Sequence, residues 1–136
     1  MLEKIKKKIN HRRSIAWLIG FIEAEGCFSI YKASSTYYRY TFSIVQQADI
    51  HILRYIKQTF NISSNIYHSR GCNCLTTSKT ESIQTIIDIL QDNLVGIKAL
   101  EFHIWAYSFL IGDPAVSLAA KLGRLALRAS HPATSG

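Results

Sequence analysis

Two glutamates, Glu23 and Glu25, end an otherwise almost uncharged stretch that reads AWLIGFIEAEG over residues 16–26. The apolar run predicts a helix that begins at Ser14 and stops at Gly26. A helix C-terminus carries partial negative charge, so carboxylates there are unfavourable unless a cation neutralises them. Mg²⁺ binds through one or two carboxylates together with waters and phosphate oxygens. The pattern therefore favours a divalent-cation site on a phosphate backbone, with either glutamate as the ligand. Solvated helix-end acids are the alternative.

The predicted helix also carries a stripe of small residues, because Ala16, Gly20 and Ala24 recur at every fourth position. Such a stripe lets two helix backbones approach closely. No other segment of residues 1–112 repeats it, so we expect the partner to be the same helix of a second copy, related by a two-fold axis. The acidic ends of both helices would then meet at one site. The alternative is a monomer in which this helix is central and enclosed.

The charge of the chain is high and unevenly distributed. The 136 residues carry a formal net charge of +7, and residues 26–80 hold six Lys/Arg against one acid, Asp49. A field of this kind favours a polyanion such as nucleic acid, although a basic protein without such a partner has the same composition. No apolar run reaches the roughly 18 residues of a membrane span, so we expect no membrane association. The three cysteines lack disulfide or zinc spacing and predict a reducing compartment.

The composition predicts one domain with two unlike ends. Residues 1–13 read as a basic N-terminal arm and residues 14–112 as the domain. All nineteen isoleucines lie at or before Ile111, whereas residues 113–136 are rich in Ala, Leu and Arg. We interpret this tail as a non-native or disordered extension; a native C-terminal helix is the alternative.

Apolar periodicity supplies the other elements of the domain. Alternation over 27–33 and 37–45 predicts two strands, and a poorer pair is predicted over 65–78 around Gly71. Helical spacing predicts helices over 49–60, 79–92 and 96–111. The order α-β-β-α-β-β-α-α predicts an α+β fold, in which helices cover one face of a four-stranded antiparallel sheet.

The stretch LIGFIEAEG, residues 18–26, resembles the signature of the LAGLIDADG homing endonucleases of the single-motif, homodimeric kind. The element order is also similar to that family's αββαββα(α) fold. The resemblance implies that Glu25 is a metal-binding and catalytic carboxylate, joined by the backbone carbonyl of Ala24. It implies that Glu23 braces the paired helices at the dimer interface, together with Ala16, Gly20 and Ala24. The family more often has Asp where this sequence has Glu25.

The same resemblance adds two catalytic residues. A polar residue at the end of the second strand orders water at the scissile phosphate, which indicates Gln46 or its neighbour Gln47. A lysine before the last helix completes the site, which indicates Lys98; the alternative is an ordinary surface lysine at a helix start.

The resemblance further implies that outward strand residues read the DNA major groove. Arg39 and Arg70 are the candidates for guanine edges. Lys32, Arg54, Lys57 and Lys79 are candidates for phosphate contacts. The full predicted DNA-binding set is Ser29, Tyr31, Ala33, Tyr37, Arg39, Thr41, Ser43, His68, Arg70, Cys74 and Thr76.

The implied function is a homodimeric, Mg²⁺-dependent endonuclease that cuts both strands of a long, pseudo-palindromic DNA site. Such proteins are encoded in introns, so the implied location is a mitochondrion or chloroplast. Two alternatives remain open at this point. One is an intron maturase that binds intron RNA, and the other is an inactive DNA-binding fragment of a two-motif protein.

Overall fold

The computed structural model describes the backbone of residues 1–112 and the side chains of residues 1–6 and 14–112. The predicted divergent tail, residues 113–136, lies outside the described residues. The eight elements follow the predicted order. They are α1 (Leu2–Glu25), β1 (Gly26–Lys32), β2 (Tyr38–Gln46), α2 (Ile50–Thr59), β3 (Tyr67–Ser69), β4 (Cys72–Thr77), α3 (Thr80–Leu90) and α4 (Gly96–Ile111).

The first helix begins much earlier than predicted. α1 starts at Leu2, with Met1 as its N-cap, and Ser14 lies in its interior. The predicted start at Ser14 is therefore wrong, and the basic segment 1–13 forms the first half of α1 instead of a separate arm. Residues 2–13 contain no glycine or proline and are rich in Lys and Arg, so nothing in them interrupts a helix. At 24 residues, α1 is about 36 Å long.

The four strands form one antiparallel sheet in the order β1-β2-β4-β3. The turn between β3 and β4 consists of Arg70 and Gly71, whose φ angles are 51° and 76°. Positive φ at both central residues is the signature of a type I′ turn, which suits the twist of a hairpin. The predicted strand pair around Gly71 is thus confirmed.

One face of the sheet packs against the helices and encloses the core. Phe42 on β2 lies opposite Phe28 on β1 and Thr77 on β4, so these three side chains share that face. The rings of Phe28 and Phe42 are 5.6 Å apart, and Phe28 also contacts Trp105 of α4. We call the other side, which the helices leave uncovered, the open face. The enclosed core includes Leu18, Ile22, Phe42, Ile44, Leu53, Ile56, Phe60, Leu75, Ile83, Ile86, Leu90, Phe102 and Trp105.

Asp49 starts α2 in the way that the sequence indicates. Its carboxylate accepts a hydrogen bond of 2.9 Å from the backbone N–H of His51, the usual role of an aspartate N-cap. Within residues 1–112, no helix combines the length and the apolar character that crossing a bilayer requires.

Candidate active site at the end of the first helix

Gly26 makes the direct passage from α1 into β1 possible. Its backbone N–H still bonds to the carbonyl of Ile22, while its own conformation is already extended. A Cβ atom at Gly26 would lie 2.8 Å from the Ile22 carbonyl oxygen and 2.9 Å from the Ile22 Cγ2 atom. Any side chain would therefore collide with the last turn of α1. The passage places Glu25 at the very end of the helix, one residue before the sheet.

Glu25 is exposed at this end, and Ala24 is exposed beside it. The last turn of a helix also leaves backbone carbonyls without intrahelical donors. Carboxylate and carbonyl oxygens are the donors that Mg²⁺ takes, and Mg²⁺ keeps several waters besides. The donor set therefore fits such an ion. No group of three or more His, Cys, Asp or Glu that could hold a metal occurs among the described residues.

Glu23 has a different environment from Glu25. Its side-chain oxygen accepts a hydrogen bond from the backbone N–H of Val95, the N-cap residue of α4. A helix N-terminus carries partial positive charge and unpaired N–H groups, so a carboxylate is favourable there. Glu23 thus ties the end of α1 to the start of α4 within one chain. Glu23 is therefore hydrogen bonded to α4, whereas Glu25 is exposed.

Lys98 lies beside the same junction. Its ammonium donates a hydrogen bond of 2.6 Å to the carbonyl oxygen of Gly26, one residue after Glu25. Its Nζ atom is also 3.6 Å from a carboxylate oxygen of Glu101, and both side chains are only 21% exposed. Glu101 was not among the predicted site residues. The spacing of Lys98 and Glu101 at i and i+3 on a helix was the available signal.

The register of the sheet brings the end of β2 to this side of the molecule. Ile44 lies directly opposite Gly26, and Gln46 follows two residues later as the last residue of β2. The Gln46 side-chain oxygen accepts a hydrogen bond of 3.1 Å from the backbone N–H of Gln47. Gln46 is half-buried, whereas Gln47 is exposed and lies outside the strand. Glu25, Gln46 and Lys98 therefore belong to one end of the fold.

The small-residue stripe of α1 is uncovered in the single chain. Ala16, Gly20 and Ala24 are all exposed, and Trp17 beside them is 49% exposed. Outside the neighbouring backbone of α1, no heavy atom of the described residues lies within 4 Å of the position that a Cβ of Gly20 would take. The opposite side of α1 is enclosed, because Leu18 and Ile22 have no exposed surface. Among the described residues, this part of α1 is therefore enclosed on one side and exposed on the other.

The sheet's open face carries most of the predicted DNA-binding residues. A shallow depression of about 400 Å³ on this face is lined by residues from all four strands, including Tyr31, Arg39, Tyr67 and Thr76. Thr41 and Cys74 also belong to this face but are only 6% and 7% exposed. Ala33 and Tyr37 lie outside the strands and close the β1–β2 loop through a 2.9 Å backbone hydrogen bond.

The family assignment rests on a match that covers most of this fold. Residues 18–109 match the LAGLIDADG endonuclease family. The chain belongs to the LAGLIDADG endonucleases. The matched region begins within α1, includes the glutamates and Lys98, and ends within α4.

Two curated relatives are probable intron-encoded endonucleases. The chain is 34% identical over 100 residues to a probable intron-encoded endonuclease, Cox1-I1b, of Schizosaccharomyces pombe, covering 68% of this chain and 26% of that protein. It is 48% identical over 54 residues to the probable intron-encoded endonuclease aI3 of Dictyostelium citrinum, covering 40% of this chain and 21% of that one. The chain thus spans about a quarter or less of these relatives.

Two solved structures share the fold. The archaeal intron-encoded homing endonuclease I-Vdi141I, solved with DNA, aligns with a TM-score of 0.64 at 21% identity, covering 93% of this chain and 87% of that one. I-SmaMI, solved with uncleaved DNA and calcium ions, aligns with a TM-score of 0.66 at 23% identity, covering 79% and 43%. The α+β fold predicted from the sequence is confirmed as the LAGLIDADG fold.

The structure corrects the predicted orientation of two residues in this LAGLIDADG chain. His68 lies opposite Asn73 on β4, and Asn73 in turn lies opposite Gln46 on β2. His68 therefore lies on the helix-side face and not on the open face. Its neighbour Tyr67, which is 52% exposed, faces outward in its place. Arg70 lies in the turn, outside both strands. The β3 prediction was shifted by one residue, and such a shift reverses every side chain.

Sequence reasoning also missed Val45, and the structure shows the bonds of two lysines that were predicted to contact phosphates. Val45 follows Ser43 on the same face of β2 and is 46% exposed. Its position two residues after Ser43 was the available signal. Lys57 donates a 2.8 Å hydrogen bond to the Ser64 carbonyl, and Lys79 a 3.2 Å bond to the Ser63 hydroxyl. Of the open-face residues in the four described strands, only Arg39 is charged.

Proposed function

We propose that this chain is a site-specific, double-strand DNA endonuclease that works as a homodimer and hydrolyses phosphodiester bonds with the help of Mg²⁺. The observation that carries the proposal is the end of α1. There the carboxylate of Glu25 is exposed, the ammonium of Lys98 bonds to the carbonyl of the next residue, Gly26, and the small-residue stripe of the helix is exposed. Names of the relatives support the activity, since the curated relatives are called probable intron-encoded endonucleases.

The homodimer follows from the uncovered side of α1. Glycine inside a helix costs about 0.5–1 kcal/mol relative to alanine, and no contact within the described chain requires it at Gly20. A second α1 packed on Ala16, Gly20 and Ala24 would explain why glycine stands at position 20, because small residues let two helix backbones approach closely. Two-fold symmetry would then place both Glu25 carboxylates at one site and match a pseudo-palindromic DNA target.

The metal would be held by Glu25 and by the carbonyl of Ala24, with phosphate and water oxygens completing its ligands. When bound, Mg²⁺ would neutralise phosphate charge and stabilise the attacking water and the leaving 3′ oxygen. The exposed position of both protein donors leaves room for the phosphate. Glu25 would serve as the metal ligand at a position where the family more often has aspartate, because both side chains end in a carboxylate.

The protein's own residues would position water and balance charge around the scissile phosphate. Gln46, at the end of β2, would hydrogen bond the attacking water through its amide; Gln47 is the alternative at that place. Lys98 would move its ammonium from the Gly26 carbonyl toward the phosphate and stabilise the negative charge of the transition state. Hydrolysis adds water to phosphorus and releases the 3′ oxygen, which leaves a 5′-phosphate end and a 3′-hydroxyl end.

The duplex would lie on the open face of the sheet. A two-stranded ribbon fits the major groove of B-DNA, and side chains on alternate strand positions reach base edges there. Tyr31, Arg39 and Thr76 line the depression on this face and are the first candidates for such contacts. The relatives' intron-encoded names support an organellar host as part of the same proposal.

Selection from a library of randomised duplexes tests the proposal. The protein, incubated with the library and Mg²⁺, should yield double-strand breaks at one site with approximate two-fold symmetry, and EDTA should stop them. Glu25→Gln should abolish cutting while leaving binding to the selected duplex within about threefold, because the amide keeps the side chain's size but is a poor metal ligand. Glu81→Gln, an exposed glutamate on α3, is the matched control and should cut normally.

Two results would contradict this function. One is cleavage that survives in Glu25→Gln at the rate of the unchanged protein. The other is tight binding of intron RNA together with no sequence-specific binding of duplex DNA, which would indicate a maturase.

A further inference from the structure

The open face of the sheet is arranged in cross-strand rows of different chemistry. Cys74 on β4 lies between Val45 on β2 and Tyr67 on β3, and it is directly opposite each of them. We call these three residues the inner row, since Val45 follows Ile44, which pairs with Gly26 at the active-site end. At the far end of β2, Arg39 lies opposite Tyr31 on β1. We call these two residues the outer pair.

Small polar residues separate the inner row from the outer pair. Cys27, Ser43 and Thr76 form one row, and Ser29 and Thr41 form the next. The Thr41 hydroxyl is 3.0 Å from the hydroxyl of Ser78, so part of its hydrogen-bonding capacity is already used. Serine and threonine hydroxyls donate and accept equally and discriminate weakly between bases. The inner row and the outer pair therefore differ from the rows between them in polarity and charge.

The inner row is apolar and accessible at its two flanks. Val45 is 46% exposed and Tyr67 is 52% exposed, with Cys74 enclosed between them. In the major groove the only apolar feature of a base pair is the C5-methyl group of thymine. Apolar side chains that face the groove favour thymine, because its methyl group leaves water on contact.

The outer pair has the opposite character. Arg39 is the only charged open-face residue in the four described strands, and a guanidinium pairs in bidentate fashion with O6 and N7 of guanine. Tyr31, 57% exposed, lies directly opposite Arg39 on the neighbouring strand.

We propose that the inner row recognises a thymine methyl group near the cleavage position of each half-site, and that Arg39 recognises a guanine further out. The inference rests on the proposed function, since it assumes that duplex DNA lies on the open face. Val45 and Arg39 are six residues apart on β2. At about 3.3 Å per residue this is about 20 Å, or about six base pairs along a groove with 3.4 Å per base pair.

Uracil in place of thymine tests the inner row, because it removes the methyl group and keeps the base pairing. The best duplex from the library is synthesised with deoxyuridine at each thymine in turn, and binding is measured with Ca²⁺ in place of Mg²⁺. One inner position in each half-site should lose about fourfold in affinity, the effect of one buried methyl group. Val45→Ala should lose this discrimination, whereas Ser43→Ala in the neighbouring row should keep it.

Deazaguanine tests the outer pair in the same assay. Replacement of the outer guanine by 7-deazaguanine removes N7, and binding should weaken by about tenfold. Arg39→Gln should bind both duplexes equally, while Arg54→Gln, an exposed arginine on α2, should keep the difference.

The outcomes separate this inference from the function on which it rests. Site-specific cutting with no position sensitive to uracil, or with an unchanged methyl effect in Val45→Ala, would overturn the inner-row assignment and leave the endonuclease intact. An unchanged deazaguanine effect in Arg39→Gln would overturn the outer-pair assignment. Absence of any sequence-specific binding to duplex DNA would overturn the function as well as the inference.

Discussion

The ammonium of Lys98 donates a hydrogen bond to the carbonyl oxygen of Gly26 across 2.6 Å, although the two residues are 72 positions apart. This contact fixes the start of α4 against the junction between α1 and β1. It also places a positive charge one residue from Glu25, where a phosphate would approach a bound metal. The position of Lys98 is thus set by the fold before any DNA is present.

Lys98→Met should slow cutting far more than it weakens binding. Methionine keeps the length and apolar stem of the side chain but removes the charge that would stabilise the transition state, which costs about 100-fold or more in rate. Single-turnover cleavage and equilibrium binding of the selected duplex separate the two effects. Lys79→Met, which removes a lysine bonded to Ser63, is the matched control. An unchanged single-turnover rate in Lys98→Met would leave Lys98 without a catalytic role.

Glu23→Ala should destabilise the fold, because the backbone N–H of Val95 loses its acceptor at the start of α4. Loss of a helix cap of this kind costs about 1–2 kcal/mol in the free energy of unfolding. Glu23→Gln keeps an oxygen acceptor and should recover most of the loss. Urea denaturation followed by circular dichroism measures both variants. Equal stability of Glu23→Ala and the unchanged protein would show that the bond to Val95 contributes nothing.

Gly20→Leu should convert the proposed dimer into a monomer without unfolding it. Leucine is a better helix former than glycine, and the single chain has open space at this position. A second α1 at close range would meet a side chain that it cannot accommodate. Sedimentation equilibrium gives the mass, and Gln58→Leu on the exposed side of α2 is the control. A Gly20→Leu protein with the mass of a dimer would mean that α1 does not form the interface.

Gly26→Ala should lower stability by about 1–3 kcal/mol, since the new Cβ would lie 2.8 Å from a backbone oxygen of the preceding turn. The neighbouring substitution Cys27→Ala, on an exposed side chain, should change stability little. Thermal unfolding of both variants gives the comparison. If Gly26→Ala unfolds at the same temperature as Cys27→Ala, the close passage between α1 and β1 is not required.

Local patterns in the sequence were sufficient for the order of elements and for the outward face of β1 and β2, where apolar and polar residues alternate clearly. The short β3 strand has no such alternation, so its register depended on pairing with β4, and the predicted face of His68 was wrong. The start of α1 at Leu2 could not be predicted from the sequence, because a lysine-rich segment is compatible with an extended arm as well as with a helix. The bond of Glu23 to Val95 and the bond of Lys98 to the Gly26 carbonyl could not be predicted from α1 alone. Both depend on α4, which reaches the junction only after the chain folds.

The central claim is that two copies of α1 end together and that their Glu25 carboxylates bind the divalent ion. A crystal structure of the protein with its selected duplex and Mn²⁺, phased by anomalous scattering, tests it most directly. The account predicts an anomalous peak at about 2–2.3 Å from a Glu25 carboxylate oxygen, between the ends of two α1 helices and against a DNA phosphate. Helix ends that lie far apart, with no peak at Glu25, would contradict it.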